Sequence, residues 1–286
     1  MRFLQTWFVL AMLSLGIAAK AEHGSAYIFG VVPQQSAVRM SQVWVPLLNH
    51  LAQKTGEPLR FSTAKDIPAF EKALAMGQYD FVYMNPYEYT AHSTASHRDH
   101  GYLAFARVRD KQIRGIIVVR KDSSIQSLAQ LNGTILAMPA QTAFGASRVT
   151  SVELRNNGIQ FTPKYVASHD SVYLNVVAGK MPAGTGVVRT FDLMPALVRN
   201  QLRILHVTKG YTPHAFAAHQ RLPGAVVIKL QKAMLQLEHE VQGSQLLRKL
   251  VFNGIVAAQD SDWDDVRQDF PAPQQGNPTQ LDRAAR

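Results

Sequence analysis

Apolar and polar positions along this chain switch repeatedly between a near-continuous run and a three-to-four-residue repeat. Tyr27 to Val32 is β-branched or aromatic apart from Gly30, which predicts a strand. Met40, Val43, Trp44, Leu47, Leu48 and Leu51 then recur on one face of a helix, with Pro46 inside the pattern removing a backbone donor and predicting a kink. Leu59 to Thr63 predicts a second strand, Ile67 to Met76 a helix and Tyr79 to Met84 a third strand. Pro86 stands where it opens another helix.

Gly101 to Val108 and Gly115 to Val119 read as strands on either side of a charged turn at Asp110 and Lys111. After a short helix closed by Gly133 the alternation restarts. It predicts a strand at 134–138, a helix at 142–156, a strand around Tyr165, a helix at 170–178, a strand at 186–188, a helix at 191–201 and a strand at 202–207. Beyond Gly210 come Pro213, Pro223, a long helical pattern from Ala225 to Val251, and a short helix holding Trp263 and Val266. Strands alternating with helices predict an α/β fold of two similar lobes, each a mixed sheet flanked by helices. The second lobe is inserted into the first through crossing segments near 108–116 and 208–216, with a cleft between them that closes by hinge motion. The expected boundaries are 22–110 plus 212–270 for lobe 1 and 111–211 for lobe 2. A flexible tail, rich in Pro, Gln, Gly and Asn, is expected over 271–286.

The N-terminus changes where this fold is expected to work. Arg2 precedes an apolar stretch from Trp7 to Ala19, and Ala19-Lys20-Ala21 fits a small-x-small cleavage site, so residues 1–21 read as a secretory signal peptide. The stretch is shorter than the roughly 18 residues of a membrane-spanning helix. The mature chain then begins near Glu22 in an extracytoplasmic space, most simply a periplasm. The absence of cysteine excludes disulfides, thiolate metal sites, a Cys nucleophile and a lipid-carrying cysteine after the leader. Net charge is +10, and +8 without Arg2 and Lys20. Such a field favours encounters with anions. The basic residues are scattered, with no stripe interleaved with aromatics, so nucleic acid is not expected as a partner.

Ser168-His169-Asp170, at the start of a helical pattern, raises three possibilities: a nucleophilic set, a metal site, or a helix start that holds an anion. Consecutive side chains at a helix start diverge by roughly 100°, which excludes a triad among these three. Ser168 or Asp170 suits the N-cap, with Val172, Tyr173, Val176 and Val177 forming the buried face. His169 is left to add a donor to helix-start amides that already favour an anion, or to lie idle on the surface. Three further stretches, "PQQSA" (33–37), "MNPYEY" (84–89) and "PAQTAFGAS" (139–147), also sit at carboxyl ends of predicted strands, where open α/β sheets bind ligands. Arg189 in "AGTGVVRT" follows a strand and offers a guanidinium to an oxyanion. "HSTASHRDH" (92–100) places His97 and His100 three apart but reads as a polar turn, not a zinc site. His214 and His219 read as strand or loop residues.

The stretches "GVVPQQSA", "YDFVYMNPYEY", "PAQTAFGAS", "SHDSVYLNVVAGK" and "GVVRT", in this order, resemble the periplasmic substrate-binding proteins of phosphate, phosphite and phosphonate ABC transporters across most of 27–255. The resemblance implies a two-lobed type II periplasmic binding protein fold that performs no chemistry on its ligand. It implies that His169 contacts the oxyanion, that Thr142 and the following amides cradle the phosphorus group, and that Tyr87 walls the pocket. Two departures stand out. Thr142-Ala143-Phe144-Gly145-Ala146 replaces a hydroxyl-rich Ser-Thr-Ser run, and Arg189-Thr190 stands near where aminophosphonate binders place acidic residues. Both point to a different oxyanion or to one with a second negative group.

The candidate ligand contacts are therefore Gln35, Ser36, Tyr83, Asn85, Tyr87, Thr142, Ala143, His169 and Arg189. The expected protein is a periplasmic monomer, without metal, cofactor or catalytic residue, that delivers a small oxyanion to an ABC permease in the inner membrane. A rival reading has the same cleft reporting its ligand to a membrane sensor kinase. A metal-dependent hydrolase would instead need ligands converging from His92, His97, His100 or His214.

Overall fold

The computed structural model describes residues 25–95, 101–109 and 112–271. The leader, the turn at Asp110 and Lys111, the cluster His97, Asp99 and His100, and the tail after Pro271 lie outside the described residues.

The chain opens with β1 (Tyr27–Val31) and α1 (Ala37–Thr55). Ser36 caps α1, its hydroxyl accepting the Arg39 N–H at 3.4 Å, and Gly56 ends it in the left-handed conformation at φ 72°. The predicted stripe Met40, Trp44, Leu47, Leu48 and Leu51 is buried, and the helix runs on through Pro46. β2 (Leu59–Ser62), α2 (Ile67–Ala75), β3 (Phe81–Met84), α3 (Pro86–His92) and β4 (Tyr102–Val108) follow. Across the first crossing come β5 (Ile113–Arg120), β6 (Thr134–Met138), a wide π-helical turn (Phe144–Val149) running into α4 (Thr150–Asn156), and β7 (Phe161–Tyr165). Then come α5 (His169–Val177), β8 (Ala183–Val187), α6 (Val188–Asp192), α7 (Ala196–Arg199) and β9 (Leu202–Tyr211). The chain returns as β10 (Ala215–His219), α8 (Gly224–Gln236), α9 (Val241–Lys249), β11 (Ile255–Ala257) and α10 (Asp264–Asp269).

Two mixed sheets result, ordered β11-β4-β10-β3-β1-β2 and β7-β6-β8-β5-β9. In the first, β1 is parallel to β2 and β3; in the second, β6 is parallel to β7 and β8. In each, the first strand after a crossing, β10 or β5, runs antiparallel beside the third parallel strand. β1 and β6 thus occupy corresponding switch points, and the loops at their carboxyl ends face a shared crevice. This is the architecture of two mixed α/β sheets that the alternating pattern predicts.

The first sheet packs on an aromatic core. Trp44 lies 4.9 Å from Tyr83 and 6.0 Å from Phe252, and Phe29 is stacked on Phe81 at 6.2 Å. Ala143, Phe144, Val149, Val187 and Tyr211, from the second half of the molecule, join this same cluster. The C-terminal segment adds a clasp. Asp265 accepts the Thr212 N–H at 2.8 Å, Asp269 accepts Lys209 Nζ at 2.7 Å and the Tyr211 hydroxyl at 2.8 Å, and Phe270 packs on Phe144 at 5.2 Å and on Tyr211 at 5.5 Å.

Several predicted elements differ in their details. The helix expected over 142–156 begins as a π turn because the Thr150 hydroxyl takes the Gly145 carbonyl at 3.0 Å and the Arg148 N–H reaches back to Ala143 O at 3.2 Å. The helix expected over 191–201 is interrupted before Pro195, which has no N–H to continue it. The long helix expected over 225–251 breaks at Glu240, where the backbone is extended and the carboxylate takes His50 at 3.1 Å and Lys54 at 2.9 Å on α1. Neither β10, whose His219 read as strand or loop, nor β11 was placed as a strand by the residue pattern. The alanines of β10 supply no β-branched signal and serve instead to fit a buried strand between β3 and β4.

A Cβ on Gly186 would lie 1.9 Å from the Tyr173 hydroxyl, so Gly186 is what lets this ring sit over β8. Gly186→Ala is expected to destabilise the protein by about 1–3 kcal/mol through overpacking, read as a lower urea midpoint. An unchanged midpoint would show that Tyr173 has room to move.

Candidate functional site

The three residues of the Ser-His-Asp segment act in three directions. Ser168 is the N-cap of α5, its hydroxyl accepting the Ser171 N–H at 3.1 Å. Asp170 reaches across to α1, pairing with Arg39 at 3.1 Å and accepting from Gln35 Nε2 at 3.4 Å. Arg39 also donates to Leu193 O at 2.6 Å. His169 turns inward and is only 2% exposed, and its backbone N–H donates to Gln34 O at 3.1 Å.

Beneath His169 lies a chain of hydroxyls. Its Nδ1 is 3.1 Å from Thr190 Oγ1, which is 2.9 Å from the Tyr173 hydroxyl and 3.0 Å from Val187 O. The Thr190 hydroxyl has one hydrogen to share between Val187 O and Nδ1; when Tyr173 donates to Thr190 and Thr190 to Nδ1, the imidazole keeps its hydrogen on Nε2 and offers it on the opposite side of the ring. Burial, then the nearby Arg189 charge, push the His169 pKa down to about 3, so the ring is neutral across the ordinary pH range. His214 is held well below its usual range by burial, then by Arg189 and His169. It is stacked on Tyr83 at 4.9 Å, with Nε2 3.2 Å from Gln34 Nε2.

Gln34 sits at the meeting point. Its side-chain oxygen accepts from Arg189, whose guanidinium also lies 5.7 Å from the Tyr83 ring centre and 5.3 Å from that of Phe252. A cavity of about 10 Å³ opens beside it, lined by Asn85, Phe144, Gly145, Ala146, His169 and His214 among others, and by no Asp or Glu. That is room for about one water. The N–H groups of Phe144, Gly145 and Ala146 belong to the first turn of their helix, where no intrahelical acceptor exists. Asn85 spends its Oδ1 on the Glu88 N–H at 2.9 Å within a capping box, which leaves its Nδ2 hydrogens outside the cap. A second cavity, of about 480 Å³, adjoins the first and shares Ile113, Val187 and His214 as wall; Tyr83, Arg114, Arg189, Asp192 and Asn253 also line it.

The structure therefore brings Asn85, Ala143 and His169 to the small cavity and Tyr83 and Arg189 to the larger one. Tyr87 is 6% exposed, with Arg148 3.7 Å above its ring centre. Thr142 stands next to this pair, where the Glu71 carboxyl is raised chiefly by burial and lowered by Thr142 and Arg148. Ser36 and Gln35 line neither cavity: one caps α1 and the other meets Asp170. Gln34 and His214 were not among the sequence candidates. Gln34 was one position away in the same stretch, and His214, a single histidine after Pro213, carried no pattern. Among the described residues no group of three His, Cys, Asp or Glu could hold a metal, and no helix is long and apolar enough to cross a membrane.

A family profile described as the periplasmic substrate-binding protein of a phosphonate ABC transporter matches residues 29–263. Among solved structures, a binding-protein component of an ABC phosphonate transporter from Pseudomonas aeruginosa superposes with a TM-score of 0.75 at 15% identity, covering 85% of this chain and 84% of that one. A protein from Prochlorococcus marinus in complex with methylphosphonate also gives 0.75 at 15% identity, covering 85% and 96%. A protein from Xanthomonas citri bound to ATP gives 0.63 at 19% identity, covering 85% and 95%.

A histidine whose folded-state pKa lies below its unfolded value takes up its proton on unfolding. Its contribution is complete above the unfolded pKa near 6.5 and is lost as pH falls toward about 3. Stability should therefore fall between pH 6.5 and 5 by up to about 1.4 kcal/mol per pH unit for each such histidine. His169→Gln should flatten this slope in urea titrations; an equal slope in both proteins would contradict the buried, neutral assignment.

Proposed function

The chain belongs to the periplasmic substrate-binding proteins of phosphonate ABC transporters, and from that footing we propose that it captures its anion where His169, the Phe144–Ala146 amides and Asn85 converge. The observation that carries this reading is the small cavity itself. Donors from three separate chain segments line it, and no carboxylate does. An oxyanion there would receive a hydrogen bond from Nε2 of the neutral His169 and others from the helix-start amides, all charge-assisted because the ligand supplies the charge.

About 10 Å³ is too little for a phosphonate headgroup. Entry then requires the two halves, 22–110 with 212–270 and 111–211, to part by hinge rotation, releasing the His169–Gln34 and Arg39–Asp170 contacts. Residues 1–21 would direct the chain to the periplasm and be removed there. The liganded, closed form would then dock on the ABC permease as a monomer. Holding the ligand through neutral donors suits a carrier that leaves its cargo unchanged.

Isothermal titration with methylphosphonate tests the site. His169→Ala should weaken binding at least about tenfold, since a hydrogen bond to a charged group contributes about 1.5–3 kcal/mol. Equal affinity in the wild type and the variant would remove His169 from the site.

A further inference from the structure

We infer that the larger cavity is a second anion subsite, so that the ligand class is a phosphonate carrying a carboxylate on a short linker. The inference rests on the phosphonate reading of the small cavity and extends it. The two spaces share Ile113, Val187 and His214 as wall, and they differ in size from about 10 to about 480 Å³, so the larger one is the roomy space adjoining a headgroup held at His169.

The chemistry of that space is cationic. Arg114 and Arg189 line it against one carboxylate, Asp192. Among the described residues no carboxylate lies within 4.0 Å of either guanidinium. Asp192 has its carboxyl raised by burial, with Arg199 as the opposing charge. Arg114 donates to Thr208 O at 3.1 Å and to Gln112 Oε1 at 2.7 Å. Arg189 has only the Gln34 amide oxygen and the faces of Tyr83 and Phe252. A half-buried cation held by neutral groups alone is under-compensated, and a carboxylate offering two oxygens matches its planar fork.

Gln34 links the two subsites: it lines the small cavity beside His169, and its side-chain oxygen accepts from Arg189 in the wall of the larger one. The Gln34 amide oxygen stands where the ligand's carboxylate would bind, as an uncharged substitute that is displaced on binding. The walls contributed by Val108, Val187, Val188, Pro213 and Val251 are apolar and suit a short linker.

Calorimetry on the mature protein with methylphosphonate, phosphonoacetate, 3-phosphonopropionate and 2-aminoethylphosphonate decides the matter. One of the phosphonocarboxylates should bind at least about tenfold more tightly than methylphosphonate, and the amine should bind no better than methylphosphonate. Arg189→Gln should bring the carboxylate-to-methyl ratio to near one, and Arg189→Lys, which keeps the charge without the fork, should fall between. Methylphosphonate binding without a carboxylate preference, or a preference that survives in Arg189→Gln, would overturn this inference and leave the phosphonate site standing. Failure of all four ligands to bind would take down the phosphonate reading and this one with it.

Discussion

Gln34 holds the centre of this molecule because one residue joins the start of α5, Arg189 and His214. Its carbonyl takes the first N–H of α5, its amide oxygen takes Arg189, and its amide nitrogen meets His214. It is 8% exposed, so these bonds form where an unmet donor or acceptor would be costly. A single glutamine at the end of β1 thereby sets how closely the second half of the chain approaches the first. The same bonds put a neutral oxygen in front of a guanidinium, which an anion outcompetes by charge alone.

The electrostatics follow from burial more than from ion pairing. His169 and His214 are desolvated and face Arg189, and both effects keep them neutral. The crevice thus carries its positive charge on arginine, which does not titrate, and its directed donors on imidazole and backbone, which stay in one protonation state. Carboxylates are kept out of the small cavity: Asp170 is paired with Arg39, and Glu88 is fully buried with its carboxyl raised by burial and by Glu71. Asp192 is the one carboxylate that lines the larger one among the described residues.

Much of this was legible in the residue pattern, and the reasons are local. The α1 stripe, the three opening strands and the restart at Thr134 are written in hydrophobic period, which burial enforces directly. His169 could be singled out because capping accounted for its neighbours Ser168 and Asp170 and not for it. Other features were set by contacts distant in the chain. Gln34 and not Gln35 faces the crevice because the turn after β1 decides which side chain points inward, and nothing in "PQQSA" fixes that turn. Glu240 breaks a good helix because His50 and Lys54 await it. Thr150 widens a turn because Gly145 is pressed against Val187 and Ile113, a closeness only the assembled sheets create.

The clasp from α10 gives the crevice a property that its own residues do not determine. Phe270, Asp269 and Asp265 grip Phe144, Tyr211, Lys209 and Thr212, so the C-terminal segment adds a link between the two sheets to those the crossing segments make among the described residues. The free energy of separating the halves enters the apparent dissociation constant together with the contacts made to the guest. Sequence drift in residues 264–270 would therefore retune affinity and release rate while leaving selectivity alone, which gives the carrier an adjustment screw remote from its cargo.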